Sequence, residues 1–240
     1  MTDLWERLRT HTPARIGIGR SGSGTPTAAV LSATAAHAAA RDAVHAELDV
    51  PTLQRELEGL GLGPALVVPS AAPDRSTYLT RPDLGRTPGG NLPQPGDAEL
   101  AVVVADGLSA VATQTHAVPL LQALLPLLDS PTTVAAPVVA TQARVALGDH
   151  IGQALGARLV LVLIGERPGL SAADSLGAYL TWQPQPGILD SARNCVSNIR
   201  PPHGLDYDTA ARTIAALISG ARQLGATGVR LKDLTGSLAP

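Results

Sequence analysis

The sequence predicts an α/β fold with a doubly wound, mostly parallel, Rossmann-like sheet, preceded by an N-terminal segment of helices and loops. The continuous apolar run from Leu100 to Ala105 is typical of a strand covered on both faces. The run from Arg158 to Ile164 gives the strongest strand signal of the chain. From residue 99 onward, strands alternate with helices, as in βαβ units. We therefore divide the 240 residues into an N-terminal segment, 1–98, and a Rossmann-like domain, 99–240.

The first elements of the N-terminal segment have little core of their own. Residues 1–26 are polar and Gly-rich. An Ala-rich helix is predicted over residues 27–48, with Thr25 as its N-cap and Pro26 at the first helical position. We expect residues 1–26 to pack on another surface.

The remainder of this segment is expected to contain one more helix, a short strand and a long loop. The helix covers about 51–60 and ends at the glycines that follow. Val67 and Val68 indicate the strand. Residues 71–97 are rich in Pro, Gly, Asp and Arg, and a loop of that length is usually functional.

The predicted elements of the second part alternate between strand and helix. In chain order they are a strand Leu100–Ala105, a helix to about Leu128, a strand Val134–Ala140, a short helix from about Asp149, a strand Arg158–Ile164, a strand Ala178–Trp182, a Pro- and Asn-rich loop 183–205, a helix about 208–223 and a strand Gly228–Leu231.

Composition excludes several classes of protein. Hydrophobic residues make up 45% and the formal net charge is −2, which argues against disorder and against a basic nucleic-acid-binding protein. The single cysteine excludes an internal disulfide and a Cys-rich zinc site. No apolar run approaches the ~20 residues that span a bilayer. The chain is expected to be globular and cytoplasmic, with a core of Leu, Val, Ile and Ala because Phe is absent.

In open α/β sheets, ligands bind outside the carboxyl ends of the strands. Asp106, the loop around Arg144 and Val145, and the loop 166–169 all follow predicted strands. We expect these three groups to line one ligand crevice.

A glycine-rich stretch suggests an alternative function. Residues 17–22 fit G-x-G-x-x-G, but only Ala14, Arg15 and Ile16 precede them where a dinucleotide fingerprint requires a buried strand. The alternative is a free-standing nucleotide- or phosphate-binding α/β enzyme that uses Gly17 to Gly24. A third reading is a scaffold subunit that contacts a partner but no cofactor. The six histidines are scattered and no catalytic set is evident, which favours a binding subunit over a solitary enzyme.

A series of short motifs carries a specific resemblance. Together they resemble the small (light) subunit of ethanolamine ammonia-lyase. The motifs are His11–Ile16, Gly19–Arg20 with Pro26–Thr27, His37–His45, Pro73–Arg75, Arg81–Gly85, Val104–Ala110, Arg144–Asp149, Ile164–Leu170, Asp174–Leu176 and Arg193–Arg200.

This resemblance implies a subunit of a heteromeric ammonia-lyase that is inactive alone. Large and small subunits bind adenosylcobalamin between them, and the large subunit carries a TIM barrel and the substrate site. Radical chemistry converts ethanolamine to acetaldehyde and ammonia. The cofactor contacts carried over by the resemblance are Val145, Glu166 and Cys195. Residues 1–98 would then contact the large subunit and residues 99–240 would bind cobalamin.

The sequence adds two expectations about the cofactor and the cellular location. No histidine stands in the D-x-H-x-x-G motif with which some proteins replace the lower base of cobalamin, so we expect base-on binding through the cofactor's own dimethylbenzimidazole. Some relatives carry a longer polar extension linked to packaging in a bacterial microcompartment. Only ten residues precede His11, so we expect a cytoplasmic complex and leave packaging open.

Overall fold

The computed structural model describes residues 4–12 and 14–232, and these residues form seven α-helices and six strands. The predicted boundaries that fall on residues 1–3, 13 and 233–240 lie outside this description. The helices are α1 (Leu4–Arg9), α2 (Thr27–His45), α3 (Val50–Glu58), α4 (Arg75–Thr80), α5 (Ala110–Leu124), α6 (Leu147–Ala154) and α7 (Tyr207–Leu224). The strands are β1 (Leu66–Pro69), β2 (Leu100–Ala105), β3 (Val138–Thr141), β4 (Leu159–Gly165), β5 (Leu176–Trp182) and β6 (Arg193–Ile199).

The six strands form one mixed sheet in the order β1-β3-β2-β4-β5-β6. β1, β3, β2 and β4 run parallel, whereas β5 is antiparallel to β4, and β6 is antiparallel to β5. The α/β class and the mostly parallel sheet are confirmed. β5 follows β4 without a helix between them, as the predicted order of elements also has it, and such a short connection allows antiparallel pairing. The doubly wound, Rossmann-like description stays a prediction.

Alternate residues of β4 contribute to two separate apolar cores. Leu159, Leu161 and Leu163 belong to the core that includes residues of α3, α5 and α7. Val160 and Val162 belong to the core on the opposite face, with residues of α6. A strand that buries both faces must be apolar at every position, which is why its sequence shows no polar alternation.

The division at residues 98 and 99 stays a prediction, although the first part of the chain contributes to the sheet and its core. β1 pairs with β3, and Leu53 and Leu57 of α3 are fully buried in the core with α5. By contrast, α2 buries only Ala43.

Side-chain caps begin four of the described helices, α3, α4, α5 and α7. The Ser109 hydroxyl accepts the Ala112 N–H at the start of α5, and the Asp206 carboxylate accepts the Thr209 N–H at the start of α7. α7 ends at Gly225, whose φ of +65° is unfavourable for residues with a Cβ. α2 begins at Thr27, the start of the predicted range 27–48, and ends at His45. Pro26 occupies the N-cap position, so the expected Thr25 cap with Pro26 as the first helical residue is wrong.

β3 begins at Val138, four residues later than the predicted strand Val134–Ala140. Three other predicted segments have a different type of secondary structure from the one expected. The expected loop 71–97 contains α4 and a 3₁₀ turn, Leu84–Arg86, since the Asp74 carboxylate caps α4 by accepting the Thr77 N–H. The expected loop 183–205 contains β6. This edge strand has many polar residues, so its sequence lacks the apolar pattern from which a strand is predicted. The expected strand Gly228–Leu231 is a 3₁₀ turn, Gly228–Arg230, so it adds no strand to the sheet.

A buried ion pair fixes the start of β6. The Arg193 guanidinium donates two hydrogen bonds to the Asp149 carboxylate, at 2.6 and 2.7 Å, and both side chains are 1% exposed. Arg193 also donates to the Thr181 hydroxyl and to the Ile188 carbonyl, each at 2.9 Å. The guanidinium therefore joins α6, β5 and β6 and leaves little of its hydrogen-bonding capacity unused.

Removing Arg193 should strongly destabilise the fold. Arg193→Met leaves the Asp149 carboxylate buried without its partner, which costs about 3–5 kcal/mol of the free energy of unfolding. Urea unfolding followed by circular dichroism measures this loss. In the control, Arg193→Met combined with Asp149→Leu should lose less than Arg193→Met alone, since no buried charge remains. A single-variant loss below ~1 kcal/mol would contradict this account.

His116 is a second buried polar group. It lies on α5 with 3% exposure, and its Nδ1 is 2.8 Å from the Tyr207 hydroxyl. Its Nε2 has no hydrogen-bond partner among the described residues. Burial lowers the pKa of His116 below its ordinary value of 6.5, and Arg200 acts in the same direction while Asp174 opposes it. The ring is therefore held neutral.

The stability of the protein should fall as the pH drops through about 6.5 toward the lower pKa of folded His116. The unfolded chain binds the proton more readily than the native state, so acid favours unfolding. Thermal midpoints measured between pH 7.5 and 5 should show a shallower decline in His116→Gln than in the wild type. His37→Gln, which replaces an exposed histidine, should keep the wild-type slope. Equal slopes in all three proteins would refute the assignment.

Candidate functional site

The carboxyl ends of β2, β3 and β4 surround an open crevice of about 430 Å³. Its lining includes residues that directly follow these strands, as the strand-end rule predicts. They are Gly107, Leu108, Arg144, Val145, Glu166 and Arg167, with Tyr78 and Tyr179 also in the lining.

The turn after β2 requires glycine at one position. Gly107 has a φ of +57°, and a Cβ placed there would lie 2.2 Å from the Gly165 carbonyl oxygen. The next residue, Leu108, donates its N–H to that same carbonyl oxygen at 2.9 Å. Glycine therefore allows the ends of β2 and β4 to approach closely at the crevice.

Asp106 holds the loop beside the crevice in place but does not itself line the crevice. Its side chain is buried, and its two carboxylate oxygens accept the N–H groups of Gln142 and Ala143 at 2.7 and 2.9 Å. The Arg75 guanidinium lies 3.5 Å away. Burial raises the pKa of Asp106, whereas these hydrogen bonds and Arg75 favour the carboxylate. The expectation that Asp106 faces a ligand is therefore replaced by a structural role.

Helix α4 supplies a buried tyrosine to the crevice, which sequence reasoning missed. The Tyr78 hydroxyl donates to the Ala143 carbonyl oxygen at 3.0 Å. The guanidinium carbons of Arg75 and Arg144 lie 4.8 and 4.4 Å from the centre of its ring. Burial raises the pKa of Tyr78, so it remains a neutral donor. The Asp74 cap followed by Arg75 was the available signal for this short helix.

Glu166 lines the crevice and also holds β6. One carboxylate oxygen accepts the Ser197 hydroxyl, and the other accepts the Asn198 N–H at 3.1 Å. Glu166 forms no ion pair with Arg144 or Arg167 among the described residues. A carboxylate can accept about four hydrogen bonds, so Glu166 keeps acceptor capacity for a ligand.

The other two candidate contacts differ in position. Val145 is partly buried and lines the crevice just before α6. Cys195 lies on β6 and not in the late loop that was expected, and it is the cross-strand partner of Tyr179, which does line the crevice. Partial desolvation and the nearby Glu166 charge raise the pKa of the Cys195 thiol, which therefore stays protonated and weakly nucleophilic.

The glycine-rich stretch does not form a dinucleotide fingerprint. No strand precedes Gly17 in the part of the chain that the structure describes, and the first strand is β1. Gly17 instead lies against Trp5, whose ring a Cβ at that position would overlap. The stretch thus packs outside the sheet, where the geometry for a pyrophosphate on a βαβ unit is missing.

A second feature is the N-terminal arm, which we define as residues 14–45. It contains α2 and exposes Leu31 and Val30, at 64% and 47%. A groove of about 360 Å³ lies between α2 and the preceding residues, lined by Arg15, Ile18 and Val30 among others. Arg15 donates to the Leu170 carbonyl oxygen at 3.3 Å. An isolated helix with so little buried surface gains little from tertiary packing.

Residues 4–12 and 14–232 contain no helix long and apolar enough to cross a membrane. They also contain no group of three or more His, Cys, Asp or Glu side chains placed to hold a metal ion.

Comparison with known proteins identifies the family. The family model described as ethanolamine ammonia-lyase light chain (EutC) matches residues 2–232. The small subunit of this enzyme from Rhodococcus erythropolis is 53% identical over 232 residues, covering 96% of this chain and 90% of that protein. The small subunit from Bradyrhizobium diazoefficiens is 53% identical over 241 residues, covering 97% and 92%. The chain therefore belongs to the ethanolamine ammonia-lyase small-subunit (light-chain) family.

Proposed function

We propose that this chain is the small subunit of an adenosylcobalamin-dependent ethanolamine ammonia-lyase and that its crevice covers part of the cofactor. The large subunit would hold ethanolamine, and only the complex would convert it to acetaldehyde and ammonia. The observation that carries the proposal is that Val145 and Glu166 line one crevice at the carboxyl edge of the sheet. Cys195 lies one strand beyond, beside Tyr179.

The crevice suits one side of a corrinoid. Val145 and Tyr179 offer apolar surface for a ring, while Glu166 offers carboxylate oxygens for the N–H groups of peripheral amides. Pockets of about 300–1,000 Å³ enclose drug-sized ligands, and a corrinoid is much larger. A crevice of about 430 Å³ can therefore cover only part of it, which supports a site shared with a partner subunit.

Bound adenosylcobalamin would supply a carbon-centred radical through cleavage of its cobalt–carbon bond. The contribution of this chain is to orient the corrin and shield it from water. We retain base-on binding, because the sequence lacks the motif that provides a replacing histidine.

The N-terminal arm is the surface we assign to the large subunit. Its apolar side chains, Val30 and Leu31 among them, are exposed on a helix that buries only Ala43. Burying such side chains against a partner gains roughly 25 cal/mol per Å² of apolar surface. The alternative, a nucleotide-binding enzyme that uses Gly17 to Gly24, is not favoured because no strand precedes these glycines in the described residues.

Glu166→Gln should weaken binding of cobalamin to the complex. Loss of a hydrogen bond to a charged group lowers affinity about tenfold to a hundredfold. The chain is co-purified with its large subunit, and Kd is measured by equilibrium dialysis with cyanocobalamin. The thermal midpoint of the cofactor-free complex should change little.

The matched control is Ser197→Ala, which removes one donor from Glu166 but leaves the carboxylate in the crevice. It should retain wild-type affinity. If both variants lower the thermal midpoint equally and neither alters affinity, Glu166 serves only to hold β6.

Leu31→Asp should weaken assembly with the large subunit at least tenfold, since a charge would be buried in the contact. Sedimentation velocity of the mixed subunits measures this effect. Leu127→Asp is the control: Leu127 is 43% exposed and follows the end of α5 that is remote from the crevice. Equal assembly of both variants would show that the arm is not the contact.

A further inference from the structure

Packing against neighbouring residues restricts the Arg144 side chain within the crevice. Its backbone N–H donates to the Gly85 carbonyl oxygen at 2.8 Å, and its guanidinium carbon lies 4.4 Å from the centre of the Tyr78 ring. A Cβ at Gly85 would lie 3.0 Å from the Arg144 Cγ and 2.9 Å from the Tyr78 ring. The absence of a side chain at Gly85 thus lets Arg144 and Tyr78 pack closely, which restricts the guanidinium before any ligand binds.

The Arg144 charge has no partner within the described residues. Its Nε is buried without a hydrogen bond, and its one polar contact, from Nη2 to the Tyr78 carbonyl oxygen, is long at 3.5 Å. No described carboxylate forms an ion pair with it. Glu166, the carboxylate of the same crevice, instead accepts hydrogen bonds from β6. A partly buried cation without an anion is unfavourable, so the site is suited to a negative ligand group.

A second arginine and two backbone N–H groups near Arg144 also favour a negative ligand group. Arg167 also lines the crevice, and it too forms no ion pair with a described residue, so two guanidinium groups face one carboxylate there. The backbone N–H groups of Val145 and Ala146, just before α6, donate to no acceptor in residues 4–12 and 14–232. Arg75 differs from Arg144 because Asp106 already balances its charge.

We infer that Arg144 forms an anion subsite for a phosphodiester, and that in the proposed complex this group is the phosphodiester of the nucleotide loop of base-on cobalamin. The inference rests on the proposed function. A planar guanidinium presents paired N–H donors that match two phosphate oxygens. The phosphodiester carries the one negative charge among the peripheral groups of cobalamin, whose other side chains are neutral amides. Arg144 would thus select corrinoids that carry the complete nucleotide loop.

The test compares cyanocobalamin with cobinamide, which keeps the corrin and its amides but lacks the phosphodiester, ribose and base. Equilibrium dialysis measures Kd for both corrinoids with the co-purified complex. In Arg144→Gln we expect the affinity for cyanocobalamin to fall about tenfold to a hundredfold, while the affinity for cobinamide changes less than about threefold. The affinity of Arg144→Lys for cyanocobalamin should lie between those of the wild type and Arg144→Gln. Lysine keeps the positive charge but lacks the paired N–H donors of the guanidinium.

The control is Arg158→Gln. It also removes one guanidinium charge, from an exposed residue at the opposite end of β4, roughly 20 Å away along a seven-residue strand. Both affinities should stay at the wild-type value. Added salt should weaken binding of cyanocobalamin to the wild type more than to Arg144→Gln.

Three outcomes would overturn the inference. Equal losses for both corrinoids in Arg144→Gln would show that Arg144 only shapes the crevice. Unchanged binding of both would place the phosphodiester elsewhere. If inorganic phosphate raises the thermal midpoint of the wild type but not of Arg144→Gln, while cyanocobalamin binds both equally, the subsite takes free phosphate. A wild-type complex that binds neither corrinoid would instead refute the proposed function itself.

Discussion

The Asp106 carboxylate connects the three chain segments on which the crevice depends. Asp106 directly follows β2, accepts two N–H groups of the loop that leads to α6, and lies beside Arg75 of α4. Within that loop, Gln142 has a φ of +50°, which is uncommon for a residue with a side chain. The hydrogen bond from its N–H to Asp106 offsets this conformation. Arg144 and Val145 follow directly, so the placement of both crevice residues depends on a carboxylate that does not touch the crevice.

Parts of the fold that depend on burial alone were predictable from the sequence. β2 begins and ends where its apolar run does, and β4 is displaced from the prediction by one residue. These strands are buried on both faces, so the sequence has little freedom there. β6 was missed for the opposite reason. It is an edge strand with a polar sequence, and its start is fixed by the Arg193–Asp149 ion pair, which joins residues 44 positions apart. The pattern of polar and apolar residues around β6 contains no information about an ion pair with so distant a residue.

The same distinction applies to the candidate site. The strand-end rule located the crevice and correctly placed Arg144, Val145 and Glu166 in its lining, because the carboxyl ends of parallel strands converge at one edge. It could not separate Asp106, which turns inward, from residues that face the crevice. Nor could it find Tyr78, which comes from a six-residue helix inside an expected loop. Cys195 came from family resemblance alone, and its link to the crevice through Tyr179 depends on the antiparallel pairing of β5 and β6.

Arg75 contacts both the N-terminal arm, which is the proposed partner surface, and the turn beside the crevice, which is the proposed cofactor surface. Its Nε donates to the Val44 carbonyl oxygen near the end of α2, at 2.7 Å, and its Nη1 donates to the Gly107 carbonyl oxygen, at 2.9 Å. A single guanidinium, 10% exposed, thus links the N-terminal arm to the turn that forms one side of the crevice. Arg75 is thus one of the contacts, with the hydrogen bond from Arg15 to the Leu170 carbonyl oxygen, that hold the arm against the rest of the protein. A partner that contacts the arm would therefore also constrain the turn at Gly107, which lines the crevice. In the proposed complex, docking of the partner and binding of the cofactor would therefore be coupled through Asp106 and Arg75, which form an ion pair.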